Sequence, residues 1–335
     1  MTFLILLFGF LFGAILQSAK LNKYNTISGM ARFEDFTVAK AIAVAVGVGA
    51  ILLSIEIGLG HASFHVKPLL LTGVAIGGLI FGAGMAILGY CPGTLPISLG
   101  EGSMDALVGI IGGICGGIVY TLIQPFIQIM LGPDLGKLSL QGALGSGPLY
   151  YILIFVFGLL LVGIAFILHK IDRKKSYNWL FAGIALAVLN CIVFLTVVFN
   201  QPIGASSTYP YLGDLLTSLF QNNSVSPNEK SGKWQLIFLA GAMLSGLVIS
   251  LVRKDFKIRL IYSGWSKTQG KTPLKRIFWA FIGGFIMLIG ARMAGGCTSG
   301  HVISGGMQMA ASSLLFAAFV FTGLLVTGKY FYRKN

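Results

Sequence analysis

Nine apolar runs dominate this sequence, and each is about twenty residues long, enough to cross the hydrocarbon core of a bilayer as a helix. They lie near residues 2–19, 37–60, 68–90, 104–131, 148–169, 178–199, 234–252, 274–296 and 310–331. Charged residues make up only 10% of the 335 residues, whereas soluble domains carry about 25%. The sequence therefore predicts an all-α integral membrane protein with about nine transmembrane helices.

The basic residues are distributed unevenly between the two sides that nine crossings define. The loops after the first, fifth, seventh and ninth runs carry 18 of the 24 Lys and Arg, whereas the loops on the other side carry four. Lys and Arg concentrate in cytoplasmic loops of membrane proteins. The N-terminus is therefore predicted outside and the C-terminus in the cytoplasm, and the net charge of +14 needs no nucleic-acid partner to explain it.

A cysteine-bearing segment occurs twice, 206 positions apart. The first copy reads Gly89-Tyr90-Cys91-Pro92-Gly93-Thr94, and the second reads Gly295-Gly296-Cys297-Thr298-Ser299-Gly300. The glycine pairs 77–78 and 283–284 match at the same offset, as do Ser98 and Ser304. Since the third run ends in the cytoplasm and the eighth ends outside, the copies have opposite orientation.

This duplication predicts an inverted repeat, in which two copies are related by a pseudo-two-fold axis in the membrane plane. The first repeat is expected over residues 1–147 and holds helices one to four. A connecting fifth helix with a cytoplasmic basic loop covers 148–177. The second repeat, with helices six to nine, covers 178–335. Transporters with such repeats place their substrate site near the midplane.

The segments around both cysteines are rich in glycine and small hydroxyl residues, and Pro92 and Pro96 cannot continue a helix. Both segments are therefore predicted to unwind and re-enter the membrane. Irregular backbone at membrane depth is tolerated only inside protein or along a water-filled cavity, so the loops would line a pathway. Loops 20–26 and 202–209 would complete a set of four. The alternative is that all four are ordinary surface turns.

The candidate substrate-binding residues come from these loops. They are Cys91, Gly93, Thr94, Cys297, Thr298, Ser299, Gly300, His301, Arg292, Asn22, Tyr24 and Ser206. A thiol in a poorly solvated constriction is expected to stay protonated and to donate a weak S–H hydrogen bond to a soft anion. Arg292 either attracts the anion or only snorkels or binds loop carbonyls, and His301 either binds substrate or only hydrogen-bonds within its loop.

The remaining cysteines, Cys115 and Cys191, are predicted to be small apolar fillers in helices. The four cysteines show no C-x-x-C pair and no Cys/His spacing suited to zinc. The sequence therefore predicts no metal site, no cofactor and no catalytic residue.

At these residues the chain resembles the YeeE/YedE family of bacterial membrane proteins. The resemblance lies in Gly89 to Thr94, Gly100-Glu101-Gly102, and Gly290 to His301. It implies uptake of thiosulfate or a related sulfur anion across the inner membrane, through a central constriction lined by Cys91 and Cys297. It also implies a small cytoplasmic sulfur-carrier protein of the TusA type as a possible partner.

The chain departs from this family at one point, because its thiosulfate transporters carry another cysteine in the first loop. Asn22 and Tyr24 occupy that stretch here. Transport of another sulfur or selenium species is therefore an alternative. Two further alternatives are a membrane sulfurtransferase that takes sulfur as a cysteine persulfide and a structural subunit whose cysteines merely pack.

Overall fold

The computed structural model describes residues 1–172, 174–217 and 229–333. Arg173 and Lys334, which belong to two of the predicted basic segments, lie outside the described residues. The helices are α1 (Thr2–Ser18), α2 (Tyr24–Ala31), α3 (Thr37–Gly58), α4 (Leu71–Leu88), α5 (Leu95–Gly100), α6 (Met104–Ile127), α7 (Leu140–Leu144), α8 (Pro148–Ile171), α9 (Asn178–Phe194), α10 (Thr208–Thr217), α11 (Glu229–Val252), α12 (Ser263–Gln269), α13 (Pro273–Met293) and α14 (Ala311–Phe331). A 3₁₀ turn, Gln128–Leu131, follows α6, and a π-helical segment, Ser299–Gly305, lies between α13 and α14.

Seven of these helices are long and apolar enough to span a membrane: α3, α4, α6, α8, α11, α13 and α14. The apolar helices α1 and α9 are shorter, with 17 residues each. Every predicted apolar run coincides with one of these nine helices. The prediction of an all-α, multi-pass membrane protein is therefore confirmed, and the predicted count of nine crossings is compatible with the structure.

The helices pack in pairs that recur. α4 and α13 pack on each other, α13 also packs on α6, and α4 also packs on α14. In the same way, α1 packs on α11 and α3 packs on α9. Suppose that α1, α3, α4 and α6 correspond to α9, α11, α13 and α14. The α4–α13 contact then maps onto itself, the α6–α13 contact onto α4–α14, and the α1–α11 contact onto α3–α9. This pattern is compatible with the predicted inverted repeat, and α8, the predicted connector, packs mainly on α3.

The contact between α4 and α13 is built from the repeated glycines. A Cβ on Gly84 would stand 2.7 Å from the carbonyl oxygen of Gly283, and a Cβ on Gly77 would stand 2.7 Å from that of Gly290. Two helix backbones approach this closely only where side chains are absent. The second glycine of each sequence pair faces another helix: Gly78 faces α14 and Gly284 faces α6. The glycine pairs are thus the contact points between helices.

The connecting segments group at two ends of the helix bundle. At the first, called the basic end, Asp172 and the segments 19–36, 89–103, 174–177 and 253–272 contact one another, for example through Lys23 with Glu101 and Asn25 with Ser263. At the other, called the opposite end, backbone pairs join Ala62 to Leu195, Leu70 to Asp134 and Ser139 to Ala310. Segments predicted on the same side of the membrane therefore lie together.

Two buried ion pairs fix the basic end. Lys40 on α3 donates to the Asp172 carboxylate after α8, at 2.7 Å. Arg276 on α13 donates to Asp105 on α6 at 2.5 Å and also to the last two carbonyl oxygens of α4. A buried charge is tolerated only when it is paired and its remaining hydrogen bonds are satisfied. Arg276 thus joins three helices at the point where the Cys91 segment begins.

Candidate functional site

The Cys91 segment begins where α4 ends, at a residue that only glycine suits. Gly89 has a φ of 80°, in the left-handed region, and a Cβ there would stand 2.3 Å from the ring of Tyr24. The Thr94 hydroxyl then accepts a hydrogen bond from the Cys91 amide at 2.9 Å and donates one to the Cys91 carbonyl at 3.1 Å. The unwound stretch is shorter than predicted, because α5 begins at Leu95 with Pro96 in its first turn, where proline is tolerated.

The Cys297 segment follows α13 and is only partly unwound. After Gly295, with a φ of 74°, the chain enters the π-helical segment at Ser299, so the prediction that this segment unwinds is wrong from Ser299 onward. The Cys297 sulfur lies 3.2 Å from the Ser299 hydroxyl, and the Gly300 amide faces the same sulfur. Single π-helical turns are rare and recur at functional sites.

Both cysteine segments reach one cavity of about 60 Å³. Its polar lining consists of Cys91, Gly93, Thr94, Thr298 and Ser299. Apolar side chains of α1, α2, α3, α4 and α9, together with Leu21 and Ile303, form the rest of the wall. The Thr298 side chain also faces the Cys91 thiol. A cavity of this size holds a few waters or one small molecule. The structure thus brings together residues from two segments that are about two hundred positions apart in the chain.

Cys297 has more donors around it than the sequence suggested. The ammonium group of Lys67 acts on its thiol, together with the side chains of Ser206 and Ser299. Lys67 is in turn held by the Gly295 carbonyl, which accepts a hydrogen bond from Nζ at 2.7 Å. A cation and several donors favour negative charge at this place, carried either by a thiolate or by a bound anion. The thiol that was expected to stay protonated thus has a lysine and two hydroxyl side chains beside it at Cys297.

Comparison with known proteins decides the class. Residues 19–326 match the sequence model of the family described as sulphur transport. The chain belongs to the sulphur transport family. It is 27% identical, over 334 residues that cover 95% of each chain, to the thiosulfate transporter TsuA of Spirochaeta thermophila. The resemblance to the YeeE/YedE family is thus confirmed, and the chain is a multi-pass membrane protein of the sulphur transport family.

Several predicted site residues of this sulphur-transport protein, including Cys297, do not line the cavity, and Arg292 and His301 make their contacts elsewhere. The guanidinium group of Arg292 stands over the ring of Tyr120, 5.8 Å from its centre, and faces Asp214. His301 Nε2 is 2.8 Å from the Ala294 carbonyl, which can only accept, so Nε2 is the donor. The other ring nitrogen then accepts from the hydroxyl 3.0 Å away on Ser313. His301 therefore fixes the second cysteine segment.

Asn22 and Tyr24, the predicted site residues of loop 20–26, contact the elements that hold Cys91 and do not line the cavity. The main-chain carbonyl of Asn22 accepts a hydrogen bond from the Ser98 hydroxyl at 2.7 Å. The side-chain amide of Asn22 donates to the same hydroxyl at 3.4 Å. The Tyr24 ring packs on Gly89 and lies 4.5 Å from the guanidinium carbon of Arg276. Among the small-loop candidates it is Ser206, beside Cys297, that reaches a thiol.

The predicted second repeat contains a matching anchor that the sequence did not reveal. Ser304, the counterpart of Ser98, donates to the Ile203 carbonyl at 3.1 Å and accepts from the Asn190 amide at 3.0 Å. The signals available in the sequence were the repeated serine and an amide inside an apolar run. Lys67 was missed for a different reason, because a lone basic residue in a loop carries no local pattern.

Proposed function

We propose that this protein carries thiosulfate, or a related sulfur-containing anion, into the cell across a bacterial inner membrane through a constriction between Cys91 and Cys297. The observation that supports this most directly is the cavity lined by Cys91 and Thr94 of the first cysteine segment and by Thr298 and Ser299 of the second. Cys297 lies behind this lining, with its sulfur 3.2 Å from the Ser299 hydroxyl. The name of the TsuA relative supports thiosulfate as the anion. In this proposal the N-terminus and the opposite end face outward, and the C-terminus and the basic end face the cytoplasm.

The proposed passage runs past donors of both cysteine segments. In this proposal an anion that comes from the opposite end passes Cys297 and Ser299 of the second segment before it reaches Cys91 and Thr94 of the first. Thiols and hydroxyls are weak, uncharged donors, so each contact orients the anion without trapping it. No covalent bond needs to break, and the protein is proposed as a transporter and not as an enzyme. A carrier of the TusA type would receive the sulfur at the basic end.

A second candidate is a membrane sulfurtransferase, and the donors around Cys297 favour it because they would stabilise a thiolate. The thiolate would attack the outer sulfur of thiosulfate. The S–S bond of thiosulfate would break, sulfite would leave with the electron pair, and Cys297 would become a persulfide. Another sulfur or selenium anion is the remaining alternative for the transported species.

The test is uptake of labelled thiosulfate by cells that lack other importers and express the wild type, Cys91→Ala, Cys297→Ala or Cys115→Ala at equal membrane abundance. Cys115 is the matched control, because it lies in the middle of α6 and not in either cysteine segment. We expect uptake to be lost in the first two variants and kept in the third. Uptake in all three variants would contradict the thiol pathway, and inactive wild type would contradict thiosulfate as the substrate.

Mass spectrometry separates transport from sulfur transfer. A persulfide on Cys297 after exposure to thiosulfate, with sulfite released in equal amount, would support the sulfurtransferase. Unmodified Cys297 in protein that accumulates intact thiosulfate would support passage. Competition by selenosulfate or sulfite during uptake would reveal a different preferred anion.

A further inference from the structure

The loop between α3 and α4 holds one lysine over the second cysteine segment. The main chain of this loop is fixed, because the Ser312 hydroxyl donates to the Lys67 carbonyl at 3.0 Å and the His65 amide donates to Gln308 at 2.6 Å. Both partners lie next to the π-helical segment, at the opposite end. The backbone at Lys67 is therefore fixed against the segments that flank the π-helical segment after Cys297.

The Lys67 side chain lies in a groove that glycines create. A Cβ on Gly296 would stand 2.0 Å from the Lys67 Nζ, and one on Gly300 would stand 3.3 Å from it. Side chains at these positions would displace the ammonium group. The lysine is only partly buried, so its ammonium lies between the solvent at the opposite end and the buried thiol of Cys297.

The hydrogen-bond partner of this ammonium is replaceable. Nζ donates to the Gly295 carbonyl at 2.7 Å, and a neutral carbonyl is a weaker acceptor for a cation than an oxyanion is. The titratable and charged groups that face Lys67 are Cys297 and Arg292, from the end of α13 and the segment after it, and His301 of the π-helical segment. The nearby Arg292 adds a second positive charge, which further favours an arriving anion.

We propose that Lys67 is the first anion-binding residue of the outer mouth: its ammonium group leaves the Gly295 carbonyl, binds the incoming small dianion and brings it to Cys297. This inference rests on the proposed function and names a recognition residue for the same pathway. It makes Lys67 a determinant of affinity for the anion and not of the later passage past Cys91.

The charge of Lys67 gives this role a pH dependence. Burial lowers the pKa of Lys67 to about 8, with Arg292 acting in the same direction and Cys297 against it. The ammonium is therefore charged below this pH and loses its proton above it. Affinity for the anion should be high in neutral solution and should fall as the pH rises through the pKa of the lysine.

The test compares KM and Vmax for thiosulfate uptake in the wild type, Lys67→Met, Lys67→Arg and Lys137→Met, in proteoliposomes of fixed internal pH. Lys137 is the matched control, an exposed lysine at the same end. Losing a hydrogen bond to a charged group should raise KM about tenfold or more in Lys67→Met, with a much smaller change in Vmax. Lys137→Met should behave as the wild type.

The same measurements at an external pH of about 6.5 and about 9.5 distinguish the titration of Lys67 from that of neighbouring groups. The arginine of Lys67→Arg keeps its charge throughout this range. KM of the wild type should rise with pH, whereas KM of Lys67→Arg should stay constant. A rise of equal size in both would assign the effect to Cys297 or another group and overturn the inference. An unchanged KM in Lys67→Met, with active wild type, would overturn it while leaving the proposed function intact. Absence of uptake by the wild type would overturn the proposed function, and this inference with it.

Discussion

The hydroxyl of Ser98 donates to the main-chain carbonyl of Asn22 at 2.7 Å, so α5 is tied directly to the small loop after α1. Ser304, 206 positions later, makes the matching bond to Ile203 at 3.1 Å. Each cysteine segment is thus connected to the smaller loop that lies at the same end of the protein. The placement of the thiols therefore depends on hydrogen bonds that do not involve sulfur.

Replacing either serine by alanine should loosen its cysteine segment. Ser98→Ala and Ser304→Ala each leave a buried carbonyl unsatisfied, which costs about 1–3 kcal/mol. We expect a lower thermal unfolding midpoint in detergent and reduced thiosulfate uptake. Ser18→Ala is the control, because that hydroxyl is exposed and bonds only to Ile15 in its own helix. Unfolding midpoints and uptake equal to those of Ser18→Ala would argue against an anchoring role.

Thr94 offers a test of the first segment alone, because its hydroxyl both accepts from and donates to the main chain of Cys91. Thr94→Val keeps the volume and removes both bonds, whereas Thr94→Ser keeps the hydroxyl. We expect uptake to fall in the valine variant and to remain in the serine variant, at equal membrane abundance. Equal activity of the two variants would show that the hydroxyl does not hold the Cys91 backbone.

Close approach of α4 and α13 predicts that Gly84 tolerates no side chain. A Cβ there would stand 2.6 Å from the Met287 amide nitrogen, which belongs to the backbone and cannot move aside alone. Overpacking of this kind costs about 1–3 kcal/mol, so Gly84→Ala should lower the unfolding midpoint. Gly163→Ala is the control, because a Cβ on Gly163 in α8 would contact nothing within 4 Å. Equal midpoints for the two variants would mean that the helices separate at little cost.

The helices could be predicted from the sequence because the pattern that specifies each of them is local. Twenty apolar residues in a row specify a spanning helix wherever the helix packs, and the nine runs coincide with nine helices. The repeated glycines were readable for a similar reason, since small residues mark close helix contacts in membranes. The short helix α5 was not predicted, because Pro96 was read as a helix breaker although proline also fits the first turn of a helix. The π-helical segment after Cys297 was not predicted either, because its glycines and small hydroxyl residues are typical of loops.

The site residues that could not be predicted from the sequence make contacts with residues far apart in the chain. Lys67 bonds to Gly295, which is 228 positions away, and Asn190 bonds to Ser304, 114 positions away. Nothing in the sequence near these residues indicates which segment they reach. Arg292 shows the converse, since an arginine in an apolar run indicates function by default, yet the structure places it beside Tyr120 and Asp214.

Variants of the ion pair between Arg276 and Asp105 can show whether its effect on stability differs from its effect on transport. Removing one partner of a buried pair leaves an uncompensated charge, at a cost of about 3–5 kcal/mol. Arg276→Met should therefore unfold at a much lower temperature than the wild type. Lys275→Met, the neighbouring exposed lysine, should unfold as the wild type does.

The double variant Arg276→Met with Asp105→Leu removes both charges and should regain much of the lost stability, because apolar side chains fill the same space without a desolvation penalty. Uptake should nevertheless stay low. Arg276 also donates to the Ile87 and Leu88 carbonyls, and the double variant does not restore these bonds at the start of the Cys91 segment. Full recovery of uptake would show that Arg276 serves only to neutralise Asp105. A double variant no more stable than Arg276→Met would show instead that the carbonyl bonds, and not the charge pair, hold the three helices together.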